Sequence, residues 1–366
     1  MSRGIGLLNA RLRGPWRLWL TVCAIALCSL AQAQPQAQTP PLPPAHLKIV
    51  GSWDFLAQFR DFEKPFWEQT VPARSGGAIT TEITAFNTMG LKGTEIVRLM
   101  KLGMIDFGTT VLAYGAEADI ESEGIDLAGL SDSLERARAI AAAYLPVLDE
   151  FFQSKHGIKV LTIFPFPAQV IYCKRPILGL ADLKGRKIRV GTRPIAEFVE
   201  AVGGVALNIP FGDAYAKLKE DVVDCGITGA LPGNSAKWYE VTQYLYPLPL
   251  GWSMSMQAVT LSTWNALAPP LQVLLTAELG KLSQAIWDRA DYETKQGLNC
   301  NSGQGPCVLG TRAHMSLARI SDSDRVLLAR LLRQVVVKRW AQRCSAVCVA
   351  KWNSSVGPIV NIRAEP

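Results

Sequence analysis

The sequence predicts an α/β protein with two lobes, and three observations lead to this fold class. The chain has 366 residues, more than one domain of common size requires. From Leu47 onward, short β-branched runs alternate with segments of helical periodicity, the pattern of βαβ units in which helices cover a parallel sheet. This alternation occurs in two blocks joined by one continuous stretch near residues 164–174. We therefore expect the chain to cross between two lobes there.

The composition excludes several classes of protein. Hydrophobic residues make up 49% and charged residues 19%, which excludes a disordered or collagen-like chain. The formal net charge is +7, but the first 33 residues contribute four arginines and no acid. Without them the charge is modest, so the sequence gives little support to nucleic-acid binding.

The first 33 residues have the features of a secretory signal peptide. An apolar run at residues 18–31 precedes the small-residue site Ala31-Gln32-Ala33, and it follows the cations Arg3, Arg11, Arg13 and Arg17. At about 1.5 Å per residue the run is shorter than a ~30 Å hydrocarbon core, which argues against a membrane anchor. We expect cleavage near Ala33 and export to the periplasm.

Five segments are predicted along the chain. They are a signal peptide at 1–33, a Pro/Gln-rich linker at 34–46, lobe I at 47–165, lobe II at 166–255 and a helical C-terminal region at 256–366 that packs on the lobes. The uncharged stretch Tyr244–Leu261 is interrupted by Pro247, Pro249 and Gly251, so it predicts strand and loop rather than a membrane span. No stable membrane insertion is expected after cleavage.

Period-two runs predict the strands and period-3.6 runs predict the helices. In lobe I we expect strands at 47–51, 79–86, 104–110 and 158–164, with helices at 54–70, 94–102 and 131–152. In lobe II we expect strands at 170–174, 187–190, 205–209 and 222–227, with a helix at 194–202. Ser321 begins a capping box for a C-terminal helix whose buried stripe is Leu328, Leu331, Leu332 and Val335.

The sequence has no recognisable catalytic or metal-binding motif. Its three histidines, His46, His156 and His314, have no ligand neighbours at metal-binding spacing. There is no GxSxG elbow and no Gly-rich phosphate loop, so we expect no catalytic residue, no metal and no cofactor. The rival interpretation is a secreted hydrolase or lyase that uses carboxylates such as Asp54, Glu95 or Asp213.

Six cysteines remain after the signal peptide, and export permits disulfides among them: Cys173, Cys225, Cys300, Cys307, Cys344 and Cys348. Cys300 and Cys307 flank a Gly-rich loop that a bridge between them would close. Cys344 and Cys348 are four residues apart, which is an awkward spacing for a bridge within one helix. Bridges that join Cys300 or Cys307 to Cys344 or Cys348 are therefore equally open. A zinc site is disfavoured because no histidine is close in sequence to these four.

Arg189 is the most informative residue. It lies at the carboxyl end of a predicted strand, just before Gly191 and a helix, and the ligand crevice of open α/β sheets lies outside such strand ends. A guanidinium at this place can hold a carboxylate through two hydrogen bonds. A surface ion pair is the alternative interpretation.

The residues around Arg189 resemble a known family. The run Leu180–Val190 (LADLKGRKIRV) resembles the DLKGxKxRV signature of the extracytoplasmic substrate-binding proteins of tripartite ATP-independent periplasmic (TRAP) transporters. Further similar segments follow in the order of the family, at Asn208–Tyr215, Val223–Cys225 and Lys237–Val241. Upstream, Thr94–Val97 and Gly103–Gly108 resemble its first-lobe pattern.

The resemblance implies a two-lobed periplasmic-binding-protein fold that closes on a ligand in the cleft. The family arginine that grips the ligand carboxylate corresponds to Arg189, and its ligand-packing aromatic to Phe211. Thr228 stands where many members have an asparagine, and Gln169 where some have a second arginine. These departures suit a ligand with one charged end. Cys225 replaces a family glycine, and the sequence gives no functional reason for it.

Further candidates for the ligand pocket lie at the ends of lobe I strands: Trp53, Asn87 and Thr109. The expected function is capture of a small organic acid and its delivery to a small and a large membrane permease subunit. A ligand sensor that presents the closed form to a membrane receptor is the alternative. The sequence identifies neither the ligand nor the oligomeric state.

Overall fold

The structure is a computed structural model that describes residues 42–115 and 118–365. The predicted signal peptide and its cleavage site lie outside the described residues, as does most of the predicted linker. The first strand begins at Ala45, within the last residues assigned to that linker.

Strands of the described residues form two sheets. The first sheet has the order β2-β1-β3-β10-β4 and the second the order β11-β9-β5-β8-β6-β7. The bounds are β1 Ala45–Gly51, β2 Ile79–Ala85, β3 Phe107–Val111, β4 Ile158–Phe164, β5 Gln169–Cys173, β6 Lys187–Val190, β7 Val205–Asn208, β8 Cys225–Gly229, β9 Tyr244–Tyr246, β10 Ser255–Thr260 and β11 Ser316–Leu317.

Each sheet is mixed, although the alternating pattern favoured parallel strands. In the first sheet β1 is parallel to β2 and β3, whereas β10 is antiparallel to β3 and β4. In the second sheet β5 is antiparallel to β8 and β9, whereas β6 is parallel to β7 and β8. The reason is the connectivity. The chain crosses between the sheets at 165–168 and returns at 247–254, and the strands that follow these two crossings, β5 and β10, run against their neighbours. Strand β11, which the chain reaches through α8, is parallel to β9.

Helices cover both sheets. Their bounds are α1 Val71–Arg74, α2 Ile96–Lys101, α3 Leu134–His156, α4 Arg193–Ala201, α5 Phe211–Lys219, α6 Ala230–Ser235, α7 Leu261–Ala266, α8 Pro269–Ser302, α9 Asp322–Leu331, α10 Val337–Arg343, α11 Ala346–Ser355 and α12 Gly357–Val360. The helix predicted at 54–70 is instead π-helical at Gln58–Glu63 and Phe66–Thr70 and continues into α1. This continuous helical segment ends at Arg74, two residues beyond Pro72.

The C-terminal region packs on both sheets, and it also supplies β10 and β11. Helix α8 reaches the first sheet, where Ser283 and Trp287 donate side-chain hydrogen bonds to the carbonyl of Ile163. At its other end, Asn301 donates to the hydroxyl of Tyr172 in the second sheet. The boundaries predicted at 165, between the two lobes, and at 255, before the C-terminal region, remain predictions.

Two smaller predictions are confirmed in this part of the structure. The Ser321 hydroxyl accepts a hydrogen bond from the Asp324 backbone N–H, and the cap therefore precedes α9 as expected. The uncharged stretch from Tyr244 is β9, a loop and β10. Across the described residues, we find no helix with the combination of length and apolar character that membrane crossing requires.

The cysteines pair as Cys173–Cys225, Cys300–Cys307 and Cys344–Cys348. The spacing of the last pair is accommodated because Cys344 caps the end of α10 and Cys348 lies in the next helix, so one helix does not hold both. Cys173 and Cys225 lie directly opposite each other on β5 and β8. The cysteine that replaces a family glycine therefore crosslinks two central strands of the second sheet.

Candidate functional site

A small cavity lies where the two sheets face each other. Strands β6 and β8 end at it, and α4, α5 and α6 begin at it. The second-sheet side contributes Arg189, Gly191, Thr192, Phe211, Thr228, Gly229 and Pro232. The first-sheet side contributes Trp53, Leu56, Val111 and Tyr114, and the two crossing segments with the start of β5 contribute Phe166, Gln169 and Ser253.

Arg189 is anchored in this cavity by the backbone. Its Nε donates to the Ile209 carbonyl and its Nη1 to the Ile227 carbonyl, both at 2.8 Å. The residue is only 2% exposed. Among the described residues its hydrogen-bond partners are these two carbonyls and no carboxylate, and no acidic side chain lines the cavity. Burial lowers the pKa of Arg189 to about 10, which leaves it charged at neutral pH.

The guanidinium lies against the backbone at the start of α4. A Cβ at Gly191 would be 3.0 Å from Nη2 of Arg189 and 3.5 Å from its Cζ. Glycine at this position therefore leaves the space that the guanidinium occupies. With two carbonyls and this backbone around it, the guanidinium has a fixed direction, as bidentate recognition of a carboxylate requires.

Aromatic rings form most of the remaining wall. The Trp53 ring centroid is 5.3 Å from that of Phe211 on the other side of the cavity, and Phe55 stacks on Phe211 at 6.0 Å. The Arg189 Cζ lies 5.9 Å from the Phe211 ring centroid and 5.7 Å from that of Trp238, distances at which a ring face attracts a cation. The cavity therefore combines one fixed cation with an apolar wall.

The structure brings together five of the seven predicted site residues. Arg189, Phe211, Thr228, Gln169 and Trp53 all line the cavity. Gln169 and Thr228 are adjacent because β5 and β8 pair with Gln169 opposite Gly229 and Val170 opposite Thr228. Whether they bind a ligand stays a prediction.

Asn87 and Thr109 are engaged elsewhere. Asn87 donates to the Asp54 carboxylate at 2.7 Å and accepts from the Asp54 backbone N–H at 3.0 Å. Thr109 is fully buried and donates to the Gln257 side chain at 2.9 Å. Neither is among the described residues that line the cavity.

Tyr114 and Ser253 also line the cavity, although neither was predicted from the sequence. Strand β3 extends to Val111, and the 3₁₀ turn Leu112–Gly115 after it carries Tyr114. The sequence did carry a signal for Tyr114, because it closely follows a predicted strand whose end lies one residue beyond the predicted one. Ser253 lies in the returning crossing segment with a φ of 48°, a left-handed conformation that no pattern in the sequence predicts.

A larger cleft opens beyond the cavity. It has a volume of about 640 Å³ and shares Tyr114, Gly191 and Thr192 with the cavity. Across its rim, the Lys92 Nζ lies 2.8 Å from an Asp213 carboxylate oxygen. The inner cavity is much smaller, with a volume of about 30 Å³. Its walls must therefore move apart to admit a ligand of several atoms.

The three carboxylates of the enzyme interpretation are held by other groups. Asp54 pairs with Asn87, Asp213 with Lys92, and Glu95 accepts from the Lys92 backbone N–H at 3.1 Å. They are not among the residues described as lining the cavity. In the described part of the chain, no cluster of three or more His, Cys, Asp or Glu could hold a metal ion.

A family model described as bacterial extracellular solute-binding protein, family 7, matches residues 59–304. Among curated proteins, the uncharacterized protein y4mM of Sinorhizobium fredii is 22% identical over 276 residues. That alignment covers 74% of this chain and 48% of the relative, so the chain spans about half the length of that protein.

Two crystal structures are similar over most of the chain. One is DctP7 of Bordetella pertussis, an extracytoplasmic solute receptor binding pyroglutamic acid, with a TM-score of 0.76 and 18% identity over 85% of this chain and 99% of that chain. The other is a TRAP periplasmic solute-binding protein of Desulfovibrio salexigens with bound orotic acid, with the same TM-score and identity over 86% and 99%.

These likenesses confirm the predicted two-lobed α/β fold. The family match covers well over half of the chain and includes the strand that carries Arg189. The protein belongs to family 7 of the bacterial extracellular solute-binding proteins, the family of the TRAP solute receptors.

Proposed function

We propose that this protein is a periplasmic receptor that binds a small organic acid and delivers it to the small and large subunits of a TRAP-type membrane permease. The observation that carries the proposal is Arg189. It is the one charged side chain among the described residues that line the cavity, it is almost fully buried, and no acid there neutralises it. A buried cation of this kind needs an anion, and a bound carboxylate supplies one.

The wall around Arg189 defines the class of acid. Trp53, Phe166 and Phe211 offer apolar faces, while Gln169 and Thr228 offer single uncharged polar groups. A second carboxylate or an ammonium group on the ligand would be desolvated there without an opposite charge. The proposed ligand is therefore a compact monocarboxylate, and the pyroglutamate and orotate bound by the two structural relatives belong to this class.

Two measurements identify and test the ligand. Native mass spectrometry of the freshly purified protein would reveal a co-purified acid, and calorimetric titration with pyroglutamate and orotate would measure affinity. Arg189→Ala is expected to weaken binding by about 30- to 4,000-fold, because loss of one partner of a buried charge pair costs roughly 2–5 kcal/mol. Arg189→Lys should also weaken it, since an ammonium cannot form the bidentate fork.

Arg186→Gln is the matched control. Arg186 belongs to the same signature, but its guanidinium donates to the carbonyls of Arg175 and Pro176 outside the cavity. The affinity of Arg186→Gln for the acid should stay within threefold of that of the parent protein. If the affinity of Arg189→Ala also stays within threefold, Arg189 is not part of the site. Conversion of the bound acid to a product would favour an enzyme.

Delivery to a permease is the second half of the proposal, and it is supported by the family. Uptake of the acid by vesicles that contain the permease subunits should require the receptor. Uptake that is unchanged without the receptor would favour the sensor alternative.

A further inference from the structure

Tyr114 is a hydroxyl-bearing residue that lines the cavity from the first-sheet side. Tyr114 lies in the turn after β3, opposite the strand end that carries Arg189. It lines both the inner cavity and the outer cleft, so its ring stands between the two. Tyr114 and Arg189 both line the inner cavity, which has a volume of only about 30 Å³, so a group bound there lies near both side chains.

The ring of Tyr114 is held in place by its neighbours. Its centroid is 6.1 Å from that of Trp53, with the two planes nearly perpendicular. On another side is Gly93, where an added Cβ would lie 3.2 Å from the Tyr114 ring. Gly93 has a φ of +92°, a conformation that favours glycine, so the backbone at this contact suits the close approach of the ring. The position of the ring is thus fixed by packing.

The chemistry of the phenol fits an anion beside it. Burial raises the pKa of Tyr114 above its usual value, and the nearby Arg189 only partly opposes this shift. The phenol therefore keeps its proton at neutral pH and can donate it in a hydrogen bond. Arg189 has five N–H groups, and its hydrogen bonds to Ile209 and Ile227 occupy two of them, so other N–H groups remain for a carboxylate.

We propose that Tyr114 completes the carboxylate site from the first sheet, with its hydroxyl donating to the same carboxylate that Arg189 holds from the second sheet. This inference rests on the proposed function. Its consequence is that neither half of the molecule alone forms the site. The ligand carboxylate itself then joins the two sheets, and its recognition is coupled to their approach.

The test removes only the hydroxyl. Tyr114→Phe keeps the ring against Trp53 and Gly93, so the melting temperature should stay close to the parent. Calorimetric titrations would use acetate, propionate and benzoate, three acids with one charge and increasing apolar body. A hydrogen bond to a charged group of this kind should cost about 10- to 100-fold in affinity for each acid when it is lost. Tyr215→Phe is the matched control, because the Tyr215 hydroxyl bonds to Glu240 at 2.7 Å outside the cavity.

A double variant separates a shared carboxylate from a structural role. If Tyr114 and Arg189 hold the same group, Tyr114→Phe combined with Arg189→Lys should lose less affinity than the product of the two single losses. Affinity of Tyr114→Phe that is unchanged or increased, while Arg189→Ala is impaired, would overturn this inference and leave the proposed function standing. If the parent protein binds none of acetate, propionate, benzoate, pyroglutamate and orotate, both this inference and the proposed function are overturned.

Discussion

At the scale of single residues, the site depends on a cation that is directed before any anion arrives. The two carbonyls that accept from Arg189 fix its guanidinium, and no ligand energy is needed to order this side chain. Its charge is kept in an apolar surrounding, which raises the strength of any later ion pair. Affinity should therefore be sensitive to small displacements of this one group.

Gly191→Ala tests this sensitivity. The new methyl group would be 3.0 Å from Nη2 of Arg189, so the guanidinium must shift by a few tenths of an ångström or more. We expect affinity for the acid to fall by more than threefold, with little change in the free energy of unfolding. In the control Gly212→Ala the new methyl group has nothing within 4 Å. Equal affinities of the two variants would show that the position of the guanidinium tolerates displacement.

The sequence was informative for some of these residues and silent for others. Arg189 could be predicted because strand periodicity places it at a carboxyl strand end and because its neighbours match a family signature. Tyr114 was missed because the prediction of β3 ended one residue early, and the turn after it carries the side chain. Asn87 was predicted from a strand end, but its interaction with Asp54 depends on a neighbouring loop that no local pattern describes.

At the scale of elements, helix α10 links the two halves of the molecule through charge. Its last residue, Arg343, lies 2.7 Å from a Glu123 carboxylate oxygen on the first-sheet side. It also pairs with Glu197 of α4, the helix that begins at the cavity. Glu123 is fully buried. Burial raises the pKa of Glu123, and Arg343 is the largest influence that lowers it again.

Arg343→Ala should lower the free energy of unfolding much more than loss of the pair between Lys92 and Asp213 at the rim of the cleft. It would leave two buried carboxylates without their shared cation, and breaking a buried pair costs roughly 3–5 kcal/mol of unfolding free energy. Lys92→Ala is the control, since Lys92 and Asp213 are 52% and 45% exposed and such a pair is worth ~0–1 kcal/mol. Denaturant unfolding of both variants measures the difference. Similar losses would mean that the Arg343 cluster is not a stabilising link.

The same variant should respond to pH. Without Arg343 the pKa of Glu123 rises further above the ordinary value of 4.5, so the folded state binds a proton at a higher pH than the unfolded state does. Between those two pKa values the folded state holds more protons, and stability falls as pH rises. Arg343→Ala should therefore recover stability as pH is lowered from 7 toward 4.5, more than the parent does. Parallel pH profiles of unfolding free energy would contradict this.

At the scale of the whole molecule, the structure shows two halves in aromatic and ionic contact around a nearly filled cavity. Trp53 and Phe55 meet Phe211 across it, and Lys92 meets Asp213 at its rim. An acid can enter only if these contacts separate. The short crossing segments at 165–168 and 247–254 connect the two sheets, as does helix α8, and such a separation would occur about these connections.

Because these contacts must separate before a ligand enters, we expect the free protein to sample a more open form in solution and a bound acid to hold it in the closed form. Small-angle X-ray scattering with and without a saturating acid is expected to show a smaller radius of gyration in the bound state. The sequence predicted one crossing segment near 164–174, but the return of the chain at 247–254 was not recognised because those residues have no strand periodicity. An unchanged radius of gyration, with binding shown by calorimetry, would contradict closure.

The bridge between Cys173 and Cys225 gives the protein a stability that depends on its redox surroundings. It closes a loop with a sequence separation of 52, and the chain-entropy relation assigns such a crosslink about 4 kcal/mol. In a reducing compartment the same polypeptide lacks this contribution, and its central second-sheet strands are held by packing and hydrogen bonds alone. Once the bridge has formed, β5 and β8 separate far less readily, and β8 carries the Ile227 carbonyl that holds Arg189.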